Sequence, residues 1–276
     1  MKFSYNWLRE MVDGLDASPE ELERLITIKT AECEGIEKHG DDHVIEVDNK
    51  SLTHRPDLWG HYGMAREVAA ITGRPLRDPV KAQSFNGAAP VKISIEDYTL
   101  CPRYSALAFE NVKVQPSPKW LQERLEAVGL NPINNLVDVT NFVMAELAQP
   151  MHAFDADKLH DGPISVRDAK PGEQFAALND QTYELDETNL VIADPQGAIA
   201  LAGVIGGAGS AISEATTRLV LESANFLLPR KVWKSYFLVC AVGAFSFLFE
   251  LKLPSKFKTR FASSLQFLLG TFSLIK

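Results

Sequence analysis

Cysteine is scarce in this chain of 276 residues: Cys33, Cys101 and Cys240 are the only three, far apart and odd in number. Neither a disulfide framework nor close Cys/His spacing is present, so no metal is expected, and the expected compartment is a reducing cytoplasm. Membrane-length apolar runs are missing as well. The uncharged run Tyr236 to Phe249 has 14 residues, short of the roughly 20 that a membrane span needs, so no membrane is expected. The start, MKFSYNWLREMVDG, carries Arg9 and Glu10 within an amphipathic run. It has no apolar core of a signal peptide. No Gly-Lys-Ser follows the glycine-rich stretch and no GxGxxG opens a βα unit, which removes phosphate-loop and dinucleotide sites. No Ser or Cys nucleophile stands visibly beside a base.

What is present is ordinary in bulk and uneven in detail. The hydrophobic fraction is 46% and the charged fraction 23%, the proportions of a soluble globular protein, and the length suits about two domains. The formal net charge is −8, but residues 230–276 hold eight Lys or Arg and one acid, Glu250. That leaves 20 basic and 35 acidic residues in 1–229, a net of −15. A body so acidic repels phosphates, so any RNA contact must be local or supplied by a partner.

The local signals predict an α+β protein. Ser18-Pro19-Glu20-Glu21 is a capping box with proline at the first helical position, and Leu22, Leu25 and Ile26 follow at helical spacing. Val44 to Val47 reads as a strand. Met64, Val68 and Ile71 give a helical face closed by Gly73 and Pro75. Arg74 to Pro90 is rich in Pro, Gly, Ala and polar residues and reads as a linker. Beyond it the alternation of Val91, Ile93 and Ile95 predicts a strand, as does Tyr104 to Phe109. A helix is expected from Ser117-Pro118 to Gly129, and another over Val137 to Leu147. Short strands are expected at Ile164 to Val166, Gln174 to Leu178, Thr182 to Leu185 and Leu190 to Ala193, with Asn179-Asp180 as a turn. The expected plan is a small N-terminal α+β domain over 1–80, a linker over 81–90 and a larger mixed α+β domain with many short strands over 91–228. An atypical apolar and basic tail follows over 229–276.

Two runs concentrate the unusual residues. In NNLVDVTNFVMAELAQPMHAFD, Thr140 and Asn141 sit inside an apolar helical pattern, where they compete for backbone hydrogen bonds. His152 follows Gln149-Pro150 in an expected turn, between Met151 and Phe154. On residue chemistry alone a helix cap and a satisfied core histidine are the more ordinary explanation. In AIALAGVIGGAGSAISEATTRLVLESANF, Ala202-Gly203 and Gly206-Gly207 leave the backbone bare. That permits either a close ligand or a plain glycine-rich hairpin. Glu222 stands in RLVLESANF, otherwise apolar enough for a buried strand, and a buried carboxyl needs a partner.

These two runs resemble the editing domain of bacterial phenylalanyl-tRNA synthetase β subunits. SYNWLREMV at Ser4 to Val12 and VIEVDNKSLTHRPDLWGHYGMAREVAAITG at Val44 to Gly73 resemble the first domain of the same family. The likeness covers roughly residues 1–228. It implies post-transfer editing by hydrolysis of mischarged tyrosyl-tRNA(Phe). It matches Thr140, Asn141 and His152 to polar residues of the editing pocket, with catalytic duties. Ala202, Gly203, Gly206 and Gly207 match its glycine-rich wall, Glu222 the carboxylate that recognises the para-hydroxyl of tyrosine, and Phe154 a wall for the ring. It implies no cofactor in this chain, ATP and Mg²⁺ only in the full complex, and as partners tRNA(Phe) and the α subunit of an α2β2 heterotetramer. A non-catalytic structural or tRNA-docking piece is the alternative. A free-standing editing hydrolase fits less well, because Met1 to Gly73 resembles an assembly domain.

The sequence departs from the family in several places. Ile36 runs to Val44 almost directly, so the family's OB-type tRNA-binding insertion is expected to be absent. His54 stands where Asn is commoner, and Ala211 follows Ser210 where Glu is usual. Past Leu228 the likeness stops and the charge balance reverses, so a frameshifted tail is the expectation there.

Overall fold

The computed structural model describes residues 1–79 and 91–226. Among them the chain is α+β. The N-terminal part begins with β1 (Lys2–Ser4) running into α1 (Tyr5–Met11), α2 (Pro19–Lys29), β2 (Cys33–His39), β3 (Asp42–Val47) and α3 (His61–Thr72). Ser4 ends the strand and caps the helix at once: its hydroxyl accepts from the Trp7 amide at 3.0 Å. Ser18 caps α2 through the Glu21 amide at 3.2 Å, with Pro19 at the first helical position as its sequence foretold. Gly73, at φ +66°, closes α3 in the left-handed conformation that glycine adopts most cheaply.

The strands form an antiparallel sheet in the order β1-β3-β2. His39 pairs with Asp42 across Gly40 and Asp41, so β2 and β3 are joined by a two-residue turn. Phe3, Trp7, Leu22, Ile26, Ile45 and Met64 form the core beneath them. The expected linker starts too early at Arg74. Leu76 bridges Val12, the Arg77 amide donates to the Met11 carbonyl at 2.7 Å, and the Asp13 amide donates to that of Pro75 at 2.9 Å. Those backbone bonds hold 74–77 on the N-terminal domain. The expectations for 80–90 and for the tail over 229–276 lie outside the described residues.

The second part contains β4 (Ile93–Ile95), β5 (Arg103–Glu110), α4 (Lys119–Ala127), α5 (Asn135–Leu147), β6 (His152–Asp155), β7 (Ile164–Asp168), β8 (Glu173–Ala176), β9 (Thr182–Leu185), β10 (Leu190–Ala193), β11 (Ala198–Leu201), β12 (Ile205–Gly206) and β13 (Arg218–Asn225). One sheet has the order β12-β11-β10-β7-β4 and another β5-β13-β6, while β8 and β9 form a hairpin. All pairings are antiparallel except β4 with β7. The two larger sheets share a core to which β5, β6 and β13 give Tyr104, Phe154 and Val220, and β7 and β10 give Val166 and Ile192. The far face of the five-stranded sheet is covered by the β8–β9 hairpin, where Phe175 and Leu185 pack with Val191 and Leu201. Strand β10 is therefore apolar at every position because both its faces are covered.

His152 is not in a turn. It opens β6 and pairs with Glu222, because the centre of β13 recruits both β5 and β6. Helix α5 is capped by Asn134, which accepts from the Leu136 and Val137 amides. It ends in Ala148 at φ +58°.

Candidate functional site

The site is assembled by alternation. On the core-facing side of the three-stranded sheet, β13 places Val220, Glu222 and Ala224, β6 places His152 and Phe154, and β5 places Tyr104 and Ala106. Glu222 is therefore the one carboxyl on an apolar surface. It is 6% exposed and accepts no hydrogen bond from any described residue. Burial pushes its pKa up to about 8, so Glu222 is a neutral carboxylic acid at pH 7.

Its neighbours are also polar groups without partners. The Tyr104 hydroxyl and His152 Nε2 are both buried and unbonded. Tyr104 is 8% exposed, and burial, with the nearby Glu222 and Cys101, pushes its phenol well above the usual range. Burial pushes His152 down to about 4, so its imidazole is neutral. The Cys101 thiol is pushed up to about 12, again by burial, which makes it a spectator rather than a nucleophile. Phe154, fully buried, meets the His152 ring edge-on at 4.6 Å between centroids.

The glycines do different jobs. A Cβ on Gly206 would lie 2.4 Å from His152 Cε1 and 2.7 Å from Nε2. The bare backbone there admits the imidazole, so the free space is taken by the protein's own ring. Gly207 faces the other way: its Cβ would strike the Ile199 carbonyl at 2.6 Å. Gly203, at φ +68°, lies against Phe226, and Ala202 donates its amide to the Leu190 carbonyl at 3.0 Å. The glycine-rich run is thus a β11–β12 hairpin of which only Gly206 touches His152.

Thr140 and Asn141 lie on the buried side of α5, which packs against β6. The Thr140 hydroxyl is committed to the Val137 carbonyl at 2.6 Å. Gln149, after the helix, donates to the Ala224 carbonyl at 3.4 Å and so ties the approach to β6 onto β13. Tyr104, Ala224 and Gln149 were missed from sequence. The first two follow from alternation once Glu222 is placed on the inner face, but only after β5 is known to pair with β13.

A groove of about 420 Å³ opens elsewhere, lined by His160, Glu173, Asp194 and Ser210 among others. Its acids are fully occupied. Asp194 accepts from His160 Nδ1 at 2.8 Å and from the Gln196 and Gly197 amides. Glu173 takes both arms of Arg167, which hold its carboxyl down at about 2. The unpartnered groups are at Glu222 instead.

Comparison with known proteins fits this geometry. The model of the B3/4 domain matches residues 100–235, the stretch that carries β5, α5, β6 and β13. The phenylalanine–tRNA ligase β subunit of Solibacter usitatus is 49% identical over 326 residues, covering 82% of this chain and 42% of that protein. That of Rhodopirellula baltica is 42% identical over 230 residues, covering 82% of this chain and 33% of its own length. The chain belongs to the phenylalanine–tRNA ligase β-subunit family.

It spans less than half the length of these two relatives. The alignment with the Solibacter β subunit is longer than this whole chain, so that β subunit carries residues with no counterpart here. An N-terminal fragment of the phenylalanyl-tRNA synthetase β subunit from Pyrococcus horikoshii overlays with a TM-score of 0.45 at 18% identity, over 83% of this chain and 68% of that one, too slight a likeness to argue from. Among the described residues of this β-subunit chain, no cluster of His, Cys, Asp and Glu could hold a metal ion. No helix there is long and apolar enough to cross a membrane.

Proposed function

We propose that this chain contributes post-transfer editing to phenylalanine–tRNA ligase, by hydrolysing tyrosyl-tRNA(Phe). The observation that carries the proposal is Glu222: a buried carboxyl, without a partner among the described residues, beside two buried and unbonded polar atoms, Tyr104 Oη and His152 Nε2. Buried polar groups are nearly always bonded, and a cluster of orphans is best explained by a ligand that completes it. The phenol of tyrosine both donates and accepts, so it suits Glu222 in either protonation state. A synthetic site for phenylalanine rejects an extra hydroxyl poorly. A second site that requires the hydroxyl can discriminate by roughly 10⁴-fold, because phenylalanine leaves its polar groups unpaired.

In the reaction, water attacks the ester carbonyl carbon and the bond to the ribose oxygen breaks. The ribose oxygen takes a proton, releasing tyrosine and tRNA(Phe). Asn141 supplies hydrogen bonds for orienting the water and the ester, with Thr140 holding the helix turn beside it, while neutral His152 joins Glu222 on the phenol. Phe154 and Gly206 shape the wall behind His152. No covalent intermediate is needed, since an aminoacyl ester is already activated. ATP and Mg²⁺ serve aminoacylation in the full α2β2 complex with the α subunit. Gly206, Gly207 and Gly203 pack on His152, Ile199 and Phe226, so these three do not form an open anion cradle. Contact with tRNA(Phe) by this acidic chain would be local or supplied by its partner.

The non-catalytic, tRNA-docking reading is favoured by one observation: the His152 ring occupies the space above Gly206. Release of free tyrosine from tyrosyl-tRNA(Phe) by the purified chain separates the two. Hydrolysis above the spontaneous rate supports editing, and its absence supports docking alone.

A further inference from the structure

The N-terminal domain holds helix α5 of the second domain through a cluster of contacts near the helix end. His61 Nδ1 lies 2.9 Å from the Ala145 carbonyl of α5, and the Ser4 amide donates to His61 Nε2 at 3.0 Å. Since Nε2 accepts, Nδ1 must carry the proton and donate to Ala145. The imidazole is thus a neutral bridge from the β1–α1 junction to the last turn of α5. Burial holds it in that form, with its pKa pushed down to about 4. Trp7 stacks on the same ring at 4.0 Å and on Phe142 of α5 at 4.9 Å. Its indole donates to Glu146 at 3.4 Å. Gly60 lets the backbones meet: a Cβ there would stand 2.4 Å from the Ala148 amide nitrogen and 2.9 Å from the Glu146 carbonyl.

Phe142 and Ala145 pack against the N-terminal core. Thr140 lies about 200° round the helix from Phe142, at ~100° per residue. One side of α5 is therefore fixed by the first domain, with Asn141 only about 40° from Ala145 on that side and Thr140 turned away from Phe142. After the left-handed turn at Ala148, only Gln149, Pro150 and Met151 intervene before His152.

We propose that the N-terminal domain is part of the editing apparatus, with His61 as a positioning residue that, through the close approach at Gly60, sets where α5 and the entry to His152 sit. This rests on the hydrolase reading above. A shift of about 1 Å in reacting groups can cost ~10²-fold in rate, so the helix end needs such a hold.

The test uses the full chain with His61→Phe, which keeps a ring on Trp7 but loses both hydrogen bonds. His61→Gln can still accept from Ser4 and donate to Ala145. Two readouts are taken: kcat and KM for tyrosyl-tRNA(Phe) hydrolysis, and amide hydrogen exchange over residues 140–149. The expected result for His61→Phe is a 10–100-fold fall in kcat, KM within about threefold, and faster exchange in 140–149 while β13 stays protected. His61→Gln should recover most of the loss in both readouts. Unchanged exchange, or faster exchange with unchanged kcat, overturns the positioning role while leaving the hydrolase reading intact. Parallel loss of protection throughout the chain also overturns it, since that marks a merely structural residue. A wild-type chain without hydrolysis overturns the hydrolase reading itself and the positioning role with it.

Discussion

Replacing Glu222 by Gln should stabilise the protein, and increasingly so as the pH rises. In the folded chain burial holds the Glu222 carboxyl up at about 8 against an ordinary value of 4.5. Between those values the folded state keeps a proton that the unfolded chain releases. Stability therefore falls with rising pH, by about 1.4 kcal/mol per unit where the difference is a full proton. From pH 6.5 to pH 8 the slope tapers as the folded group begins to ionise, and the accumulated loss is about 1.5 kcal/mol. Glutamine cannot titrate, so the gap between variant and wild type should widen by that amount. At about 2–4 °C per kcal/mol this is some 3–6 °C in Tm. The Met1 ammonium, lowered by burial, titrates nearby with the opposite sign but is common to both proteins and cancels. His61 and His152, both lowered to about 4, lose their contribution only as pH falls below about 6.5. The assay is thermal unfolding of both proteins at pH 6.5, 7.25 and 8. A gap that does not change with pH would refute the reasoning, because Glu222 would then not be a desolvated, unpartnered acid.

Gly206→Ala must push the His152 ring aside, since the new Cβ would lie 2.4 Å from it. A loss of about 1–3 kcal/mol is expected in denaturant unfolding, with hydrolysis falling alongside it. Arg167→Leu leaves Glu173, 10% exposed at its side chain, without its bidentate partner. About 3 kcal/mol of destabilisation is expected at pH 7, shrinking as the pH falls from 4.5 towards about 2, where Glu173 protonates in the folded wild type as well as in the unfolded chain. The purified chain should show no phenylalanine-dependent ATP–pyrophosphate exchange, measured with radiolabelled pyrophosphate, since its sequence carries no recognisable ATP-binding motif. Exchange above background would contradict the proposed editing role as its whole contribution.

Local signals carried most of the fold. Caps such as Ser18 and Gly73 and the apolar run of β13 placed their elements within a few residues. What failed was set by long-range pairing. Cys33–His39 is too charged to read as a strand, and it becomes β2 only because β3 recruits it. His152 follows Pro150 and reads as a turn, yet β13 draws it into β6. The site was legible in Glu222, because a carboxyl inside an apolar strand is conspicuous. Tyr104 was invisible, since a tyrosine in a strand is ordinary until the register puts it on the same face. The glycines were legible as bare backbone but not in direction: Gly206 and Gly207 are adjacent and face opposite sides of the hairpin. His61 gave no signal, since its role exists only across two domains.

The most direct measurement is a pair of rates: hydrolysis of tyrosyl-tRNA(Phe) and of phenylalanyl-tRNA(Phe) by the wild-type chain and by Glu222→Ala. The account predicts that wild type strongly prefers the tyrosyl ester and that Glu222→Ala, still folded, loses most of that preference. Equal tyrosyl-to-phenylalanyl ratios in the two proteins would contradict it, because the buried carboxyl would then have no part in reading the hydroxyl.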